Sequence, residues 1–302
     1  MICAGIATLT VIALMGPNAI PAAPSAPDGD VIVSPAWLSQ HLKDRDLVIL
    51  QLTAGRQAAK QHLPGARVVA VDFFESSTMG MGAAMDMSRL PDASELQGKL
   101  EKLGISDDTH VVVVLDGEEI PSGTRALFLV TYGGVRHTSF LDGGLAAWTR
   151  AGLPLTTAPA AIVPGHFTRP LDAAIVADFS YVQAHIKSPH VRVIDARAPV
   201  YFDGAPQEKM GMAAGHIPGA ANIPFNTLTD DMRRVLPLPA LEEKFRAAGV
   251  QPGDTVIAYC HVGIQGTVVV LGARALGHPV RLYPGSFHDW SARKLPTEGG
   301  TR

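Results

Sequence analysis

One cysteine of this chain stands where the surrounding residues favour a nucleophile. Cys260 follows the apolar run 255–259, and a polar, glycine-bearing stretch separates it from the next apolar segment, which begins at Thr267. A strand that ends at Tyr259 and a helix that begins near Gly266 would put the thiol at the carboxyl end of a parallel strand, where open α/β sheets bind ligands. A lone cysteine is otherwise most often a small buried hydrophobe. The polar loop favours the nucleophile.

The backbone of the loop after Cys260 is suited to holding negative charge. Gly263 and Gly266 permit conformations that other residues avoid, so the amides of residues 261–267 can turn inward as donors. The N-terminus of the following helix adds partial positive charge. Such a ring stabilises a thiolate and binds an anion next to it. The predicted substrate-binding loop consists of His261, Val262, Gly263, Ile264, Gln265 and Gly266.

Other chemistries fit the sequence less well. A phosphatase loop on a similar scaffold needs arginine six positions after the cysteine, where this chain has Gly266, and the first arginine after Cys260 is Arg274. The net charge of −3 gives no basic field for nucleic acid. Spacings typical of zinc ligands do not occur. The sequence therefore implies no metal, nucleotide or organic cofactor, no nucleic-acid partner and no membrane partner.

Two motifs recur in the same order in both halves of the chain. HLPGA at 62–66 returns as HIPGA at 216–220, and LDGGLAAW at 141–148 returns more loosely as LYPGSFHDW at 282–290. A repeat of domain size follows. The half of the chain without Cys260 also carries these motifs. Their histidines and tryptophans are therefore expected to be structural. These residues are His62, His216, Trp148 and Trp290.

Strand and helix patterns alternate in each half. The predicted strands are 47–50, 111–115, 191–194 and 255–259, and the predicted helices are 94–103, 123–132, 238–248 and 266–276. Continuous apolar strands that alternate with helices indicate a parallel sheet with both faces covered. We predict one domain over 30–152, a linker over 153–172 rich in Pro, Ala and Thr, and a second domain over 173–302.

The N-terminal residues 1–29 are expected to lie outside both domains, as a signal peptide or a disordered segment. The apolar run 2–15 is too short to span a bilayer, and small residues and prolines follow it. Cys3 lies at the start of that run and not after it, so a lipid anchor is not expected. The pattern predicts a periplasmic or secreted protein, and a cytoplasmic one if the segment is only a tail.

Together, the two HxPGA motifs, the strand-Cys-loop-helix unit and the glycine-to-tryptophan motifs resemble the tandem rhodanese family of thiosulfate and 3-mercaptopyruvate sulfurtransferases. The resemblance covers residues 31–296. It implies an α/β fold of two rhodanese-like domains, each a parallel sheet covered by helices on both faces. It also implies that Cys260 accepts a sulfane sulfur as a persulfide and passes it to cyanide or a thiol acceptor.

The same resemblance makes the first domain inactive and the second catalytic. Strand 111–115 runs into Asp116 and Gly117 without a cysteine. An aspartate near that position is the usual replacement in the inactive domain of the family. A carboxylate cannot carry sulfane sulfur, so the first domain is expected to be structural.

The resemblance also suggests what donor the protein uses. Arg197, in the DAR motif after strand 191–194, is expected at the rim of the site, where the family's arginine binds the small anionic donor. The second arginine of mercaptopyruvate enzymes is absent from 199–204. His261 stands where thiosulfate enzymes have arginine and could attract a sulfonate if protonated. Thiosulfate is therefore the expected donor. The alternatives are 3-mercaptopyruvate sulfurtransferase and a non-enzymatic sulfur-relay or binding module.

Overall fold

A computed structural model describes residues 31–53, 61–76, 89–117, 119–205, 207 and 211–299. The predictions made for residues 1–29, including Cys3, lie outside these residues. Within the described part of the chain, no helix is both long and apolar enough to cross a bilayer. The same part contains no cluster of three or more His, Cys, Asp or Glu side chains that could hold a metal ion.

Strands and helices alternate through both halves, as the apolar patterns predict. The elements of the first half are β1 (Ile32–Val33), α1 (Pro35–His41), β2 (Leu47–Thr53), β3 (Arg67–Ala70), α2 (Ala93–Lys102), β4 (His110–Asp116), α3 (Ile120–Tyr132), β5 (His137–Leu141) and α4 (Gly144–Arg150). The elements of the second half are α5 (Phe179–His185), β6 (Val191–Asp195), α6 (Pro199–Phe202), β7 (Ala221–Asn222), α7 (Leu238–Ala247), β8 (Thr255–Tyr259), α8 (Gly266–Ala275), β9 (Val280–Leu282) and α9 (Ser286–Ala292).

The two sheets are parallel and share one topology, which confirms the predicted fold. The first has the order β1-β5-β4-β2-β3 and the second β7-β6-β8-β9. Val176 makes a parallel bridge to Leu282 where β1 pairs with β5 in the first sheet. The central strands β2, β4, β6 and β8 are buried along most of their length, because helices cover both faces.

The helices α3 and α8 pack against each other and join the two halves. Thr124 of α3 and Thr267 of α8 are hydrogen-bonded through their Oγ1 atoms, which lie 2.7 Å apart. Arg274 of α8 donates to the hydroxyls of Thr131 and Thr138. Because buried apolar residues of both halves belong to one continuous cluster, the domains share a core and not only a polar contact.

The strand register identifies the residue of the first domain that corresponds to Cys260. In the first sheet Val113 pairs with Phe140, and in the second sheet Ala258 pairs with Leu282. Phe140 and Leu282 each lie three residues before the first glycine of the repeated motif. Two residues after Val113 and Ala258 come Leu115 and Cys260. Leu115 therefore corresponds to Cys260, and Asp116 lies one residue beyond it.

The histidines and tryptophans of the repeated motifs have structural environments in both halves. His62 pairs with the backbone of Thr156, and His216 pairs in the same way with Glu298. The indoles are buried, and each donates to a backbone carbonyl six residues later, Trp148 to Pro154 and Trp290 to Pro296. These contacts bear out the structural interpretation of both motifs.

Residues 153–172, predicted as a linker, lie against the first domain. The Gly165 amide donates to the carbonyl of Glu101, and the Phe167 amide donates to its carboxylate. A Cβ at Gly165 would lie 2.1 Å from the carbonyl oxygen of Ile105. Hydrogen bonds from its own backbone amides thus hold the segment against the first domain. This explains why its sequence shows no periodic pattern of apolar residues.

Candidate active site

Cys260 lies directly after β8, with its backbone held on both sides. Its N–H donates to Ser286 Oγ at 3.1 Å, and its carbonyl accepts from the Phe287 N–H at 3.0 Å. The His288 N–H donates to the next carbonyl, that of His261. The residue is only 1% exposed, and the partly exposed loop residues lie above it. The first turn of α9 thus fixes the start of the loop.

The loop turns a main-chain donor toward the sulfur. The N–H of Gly263 donates to Cys260 Sγ at 3.2 Å, with Gly263 at φ +84°. The loop amides with no acceptor among the described residues belong to His261, Val262, Ile264, Gln265 and Gly266. A turn with unengaged amides next to the N-terminus of α8 is a ready site for negative charge.

Gly263 is a position where only glycine fits, and its replacement should be costly. A Cβ there would lie 2.5 Å from the carbonyl oxygen of Pro284. Gly253 has nearly the same φ, +83°, but open space around its Cβ position. We expect Gly253→Ala to cost about 1 kcal/mol of backbone strain and Gly263→Ala about 1–3 kcal/mol more because of the clash.

Urea unfolding of the two alanine variants measures this difference in stability. We expect Gly263→Ala also to reduce sulfur transfer by roughly tenfold or more, because the loop must shift away from Sγ. Gly253→Ala should leave transfer unchanged. Equal stability and equal activity of the two variants would contradict the role given to Gly263.

Arg197 is not at the rim of the site, where the sequence placed it. Its side chain has no exposed surface, and its guanidinium is held by Asp195 and by the carbonyl of Gly215. Nε lies 2.9 and 3.0 Å from the two Asp195 oxygens, and Nη2 lies 2.6 Å from Oδ2. The guanidinium carbon lies 4.0 Å from the centre of the Phe287 ring.

These contacts make a buried charged brace beside Tyr259, the residue before Cys260. Burial alone would lower the pKa of Arg197, but the hydrogen bonds and charge of Asp195 outweigh it and raise the pKa. Tyr259, the last residue of β8, is fully buried, and its hydroxyl accepts from the Ile217 N–H at 3.1 Å. Arg197 Nη1 is buried without a hydrogen-bond partner among the described residues.

His261 is a neutral rim residue near pH 7. Its Nδ1 lies 3.2 Å from Gln265 Oε1, and its ring meets the Tyr201 ring edge-on at 5.0 Å. Burial is the largest effect and lowers the pKa of His261, while the hydrogen bond with Gln265 opposes it. The charges of Arg197 and Asp195 have smaller effects, which lower and raise this pKa respectively. The mouth of the loop is therefore built of an imidazole, an amide, a phenol and main-chain donors.

Sequence reasoning missed three residues that shape the site. Ser286 has φ +53° and accepts the Cys260 N–H. It stands at the position of Gly144 in the first motif, and this difference between the repeats is the signal that could have revealed it. Tyr201 lies in segment 199–204, where the sequence pattern indicates only that arginine is absent. Arg125 of α3 donates from Nη1 to the carbonyl of Gly263 at 3.3 Å, and nothing in its apolar sequence context marks it.

The corresponding end of the first sheet also opens into a cavity, of about 760 Å³. Leu115 and Asp116 line it from the first domain, and Asp231, Met232 and Arg233 line it from the second. A leucine at the position of the thiol leaves no atom there that could carry sulfur.

Comparison with known proteins gives consistent results over nearly the whole chain. The model of the rhodanese-like domain matches residues 34–151 and 178–293. A protein of Pseudomonas aeruginosa named as a probable 3-mercaptopyruvate sulfurtransferase is 33% identical, covering 84% of this chain and 92% of that one. A thiosulfate sulfurtransferase of Gallus gallus is 28% identical, covering 89% and 96%. The crystal structure of the 3-mercaptopyruvate sulfotransferase SseA from Escherichia coli superposes with a TM-score of 0.71 at 27% identity, covering 85% of this chain and 99% of that one.

Proposed function

Because the chain belongs to the rhodanese-like family, we propose that it is a sulfurtransferase that works through a persulfide on Cys260. The thiolate attacks the outer sulfur of a donor such as thiosulfate. The sulfur–sulfur bond of the donor breaks, and sulfite leaves with the bonding pair. Cyanide or a thiolate then attacks the outer sulfur of the persulfide, which restores the Cys260 thiolate.

The observation that carries this proposal is the Gly263 N–H directed at Cys260 Sγ. A main-chain donor at 3.2 Å from Sγ can stabilise negative charge on the sulfur during the reaction, and the neighbouring unengaged amides can receive the charge that develops on the leaving group. The proposed substrate-binding residues are the loop residues 261–266. Arg197 is proposed to act on the donor through its charge.

Thiosulfate is the proposed donor, and 3-mercaptopyruvate is the second candidate. Relatives named for each donor have similar identity to this chain, so similarity does not choose between them. Two features of the chain favour thiosulfate. Residues 199–204 offer no arginine for a keto-acid carboxylate, and Tyr201 faces the loop from that segment.

Two measurements test the proposal. The first is turnover of each donor with cyanide as acceptor, and the second is the intact mass of the protein after exposure to each donor. We expect thiocyanate formation and a gain of about 32 Da on the protein, with the higher kcat/KM for thiosulfate. A higher kcat/KM for mercaptopyruvate would reverse the donor assignment. A mass gain without turnover would indicate a sulfur-relay module. The absence of both the mass gain and turnover would refute the enzymatic proposal.

The charge of His261 should matter only in acid. Because the pKa of His261 lies below its usual value, the ring is neutral at pH 7–8 and gains its proton only in more acidic solution than an ordinary imidazole does. We expect the KM for thiosulfate of His261→Asn to equal that of the wild type at pH 7–8. In acid, where the ring of His261 is protonated, the wild type should have the lower KM. The ratio of the two KM values at each pH cancels the effects of pH that both proteins share, and a ratio that does not change with pH would contradict this role of His261.

We also propose that residues 1–29 are a signal peptide and that the protein is periplasmic or secreted. The support is compositional: an apolar run at 2–15 followed by small residues and prolines. Fractionation of cells that express the full chain, with mass determination of the mature N-terminus, tests this. Retention of an intact N-terminus in the cytoplasm would refute it.

A further inference from the structure

Arg125 links the first domain to the loop that carries Cys260. Its Nη1 donates to the carbonyl of Gly263 at 3.3 Å, across the interface between α3 and the second domain. Glu75, also of the first domain, holds the same guanidinium with bonds of 2.8 Å to Nε and 2.9 Å to Nη2. The side chains of Arg125 and Glu75 are only 3% and 6% exposed. A bidentate, buried pair of this kind has little freedom to move.

The carbonyl that Arg125 holds belongs to the residue that contacts the sulfur. Gly263 donates its N–H to Cys260 Sγ, and because glycine has no Cβ, its peptide planes can rotate unless something fixes them. The C=O and N–H of a trans peptide point in opposite directions. The Arg125 contact therefore sets the direction of the Ile264 N–H as well as that of the Gly263 carbonyl.

We propose that Arg125, held by Glu75, is a positioning residue for sulfur transfer: by fixing the Gly263–Ile264 peptide, it keeps Gly263 in the conformation in which its N–H donates to Cys260 Sγ. The first domain, which has Leu115 at the nucleophile's position, thus takes part in the reaction of the second. This inference rests on the proposed function of Cys260. Arg125 touches the loop backbone and not the reacting sulfur.

A double variant tests this role without stranding a buried charge. Arg125→Met alone would leave Glu75 unpaired in the interior, which risks the fold. Glu75→Met combined with Arg125→Met removes both charges. The matched control is Arg274→Met. Arg274 spans the same interface from α8 to Thr131 and Thr138, and within the described part of the chain it makes no hydrogen bond to the loop. Circular dichroism and urea unfolding check that each variant is folded.

In the double variant we expect kcat for sulfur transfer to fall by about 10- to 100-fold, with the control within about twofold of the wild type. We also expect the rate of Cys260 alkylation by iodoacetamide at pH 7, divided by the rate at pH 9.5, to fall several-fold in the double variant only. This ratio reports on the loop amides, because changes in access to the thiol cancel. Arg125→Lys keeps the positive charge but has a single side-chain nitrogen to donate from. It should recover part of both kcat and the alkylation ratio.

The proposal is overturned if the double variant matches Arg274→Met in both kcat and the alkylation ratio. It is also overturned if the double variant loses activity with an unchanged ratio, because the loss would then be general damage to the interface. If the wild type transfers no sulfur, the proposed function fails, but the alkylation ratio still decides whether Arg125 positions the loop.

Discussion

Replacing Cys260 with serine is expected to reduce sulfur transfer by about three orders of magnitude or more, because the hydroxyl neither ionises near pH 7 nor forms a persulfide. The change is nearly isosteric at a residue that is only 1% exposed. Serine can keep the position of the sulfur next to the Gly263 N–H, and the backbone bonds to Ser286 and Phe287 do not involve the side chain. Stability should therefore change little.

Steady-state transfer from thiosulfate to cyanide measures this prediction, with urea unfolding as the test of fold. Cys260→Ala serves as the control for the hydrogen bond, because alanine removes the contact with Gly263 while serine can keep it. Both variants should be inactive, and neither should gain mass on exposure to donor. Transfer by Cys260→Ser at even a tenth of the wild-type rate would remove Cys260 from the mechanism.

Replacing Arg197 with methionine is expected to destabilise the protein by about 3–5 kcal/mol, because it leaves the carboxylate of Asp195 buried and unpaired. Both side chains of this pair have no exposed surface. Asp195 also accepts the backbone N–H of Arg197, so its charge is tied to the end of β6 and cannot turn toward solvent. The measurement is the free energy of unfolding in urea at pH 7.

An exposed ion pair provides the matched control. Arg234 pairs with Asp230 at 2.7 Å, a distance close to that of the buried pair, but the Arg234 side chain is 48% exposed. We expect Arg234→Met to cost less than about 1 kcal/mol, because water replaces the lost partner. Adding Asp195→Met to Arg197→Met should recover much of the loss, since no charge is then stranded. Equal losses for Arg197→Met and Arg234→Met would contradict the buried brace.

The sequence predicted elements well where the signal was local. The strand over 255–259 coincides with β8, and the helix predicted from Gly266 begins there in α8. Helix α3 begins a turn earlier than predicted, at Ile120, because Pro121 suits a first turn and no cysteine loop precedes it. The repeat predicted two related parallel sheets, and strand order and register agree between them.

The position of side chains across the sheet was less accessible to sequence reasoning. The DAR motif put Arg197 at the correct end of β6 but could not tell a rim position from a buried one. That choice depends on Asp195, on the Gly215 carbonyl and on the Phe287 ring, which comes from a helix 90 residues later in the chain. The assignment of Leu115 to the nucleophile's position likewise required the pairing of β4 with β5.

By itself the sequence predicted Cys260 as the nucleophile, the loop that follows it and the repeat, because each is written in residues that neighbour one another along the chain. Only the tertiary structure decided what surrounds the thiol. Arg125 and Gly263 are 138 residues apart, and they meet because α3 packs on α8. A contact of this range leaves no periodic pattern in the sequence, since it depends on how two separately folded sheets come together.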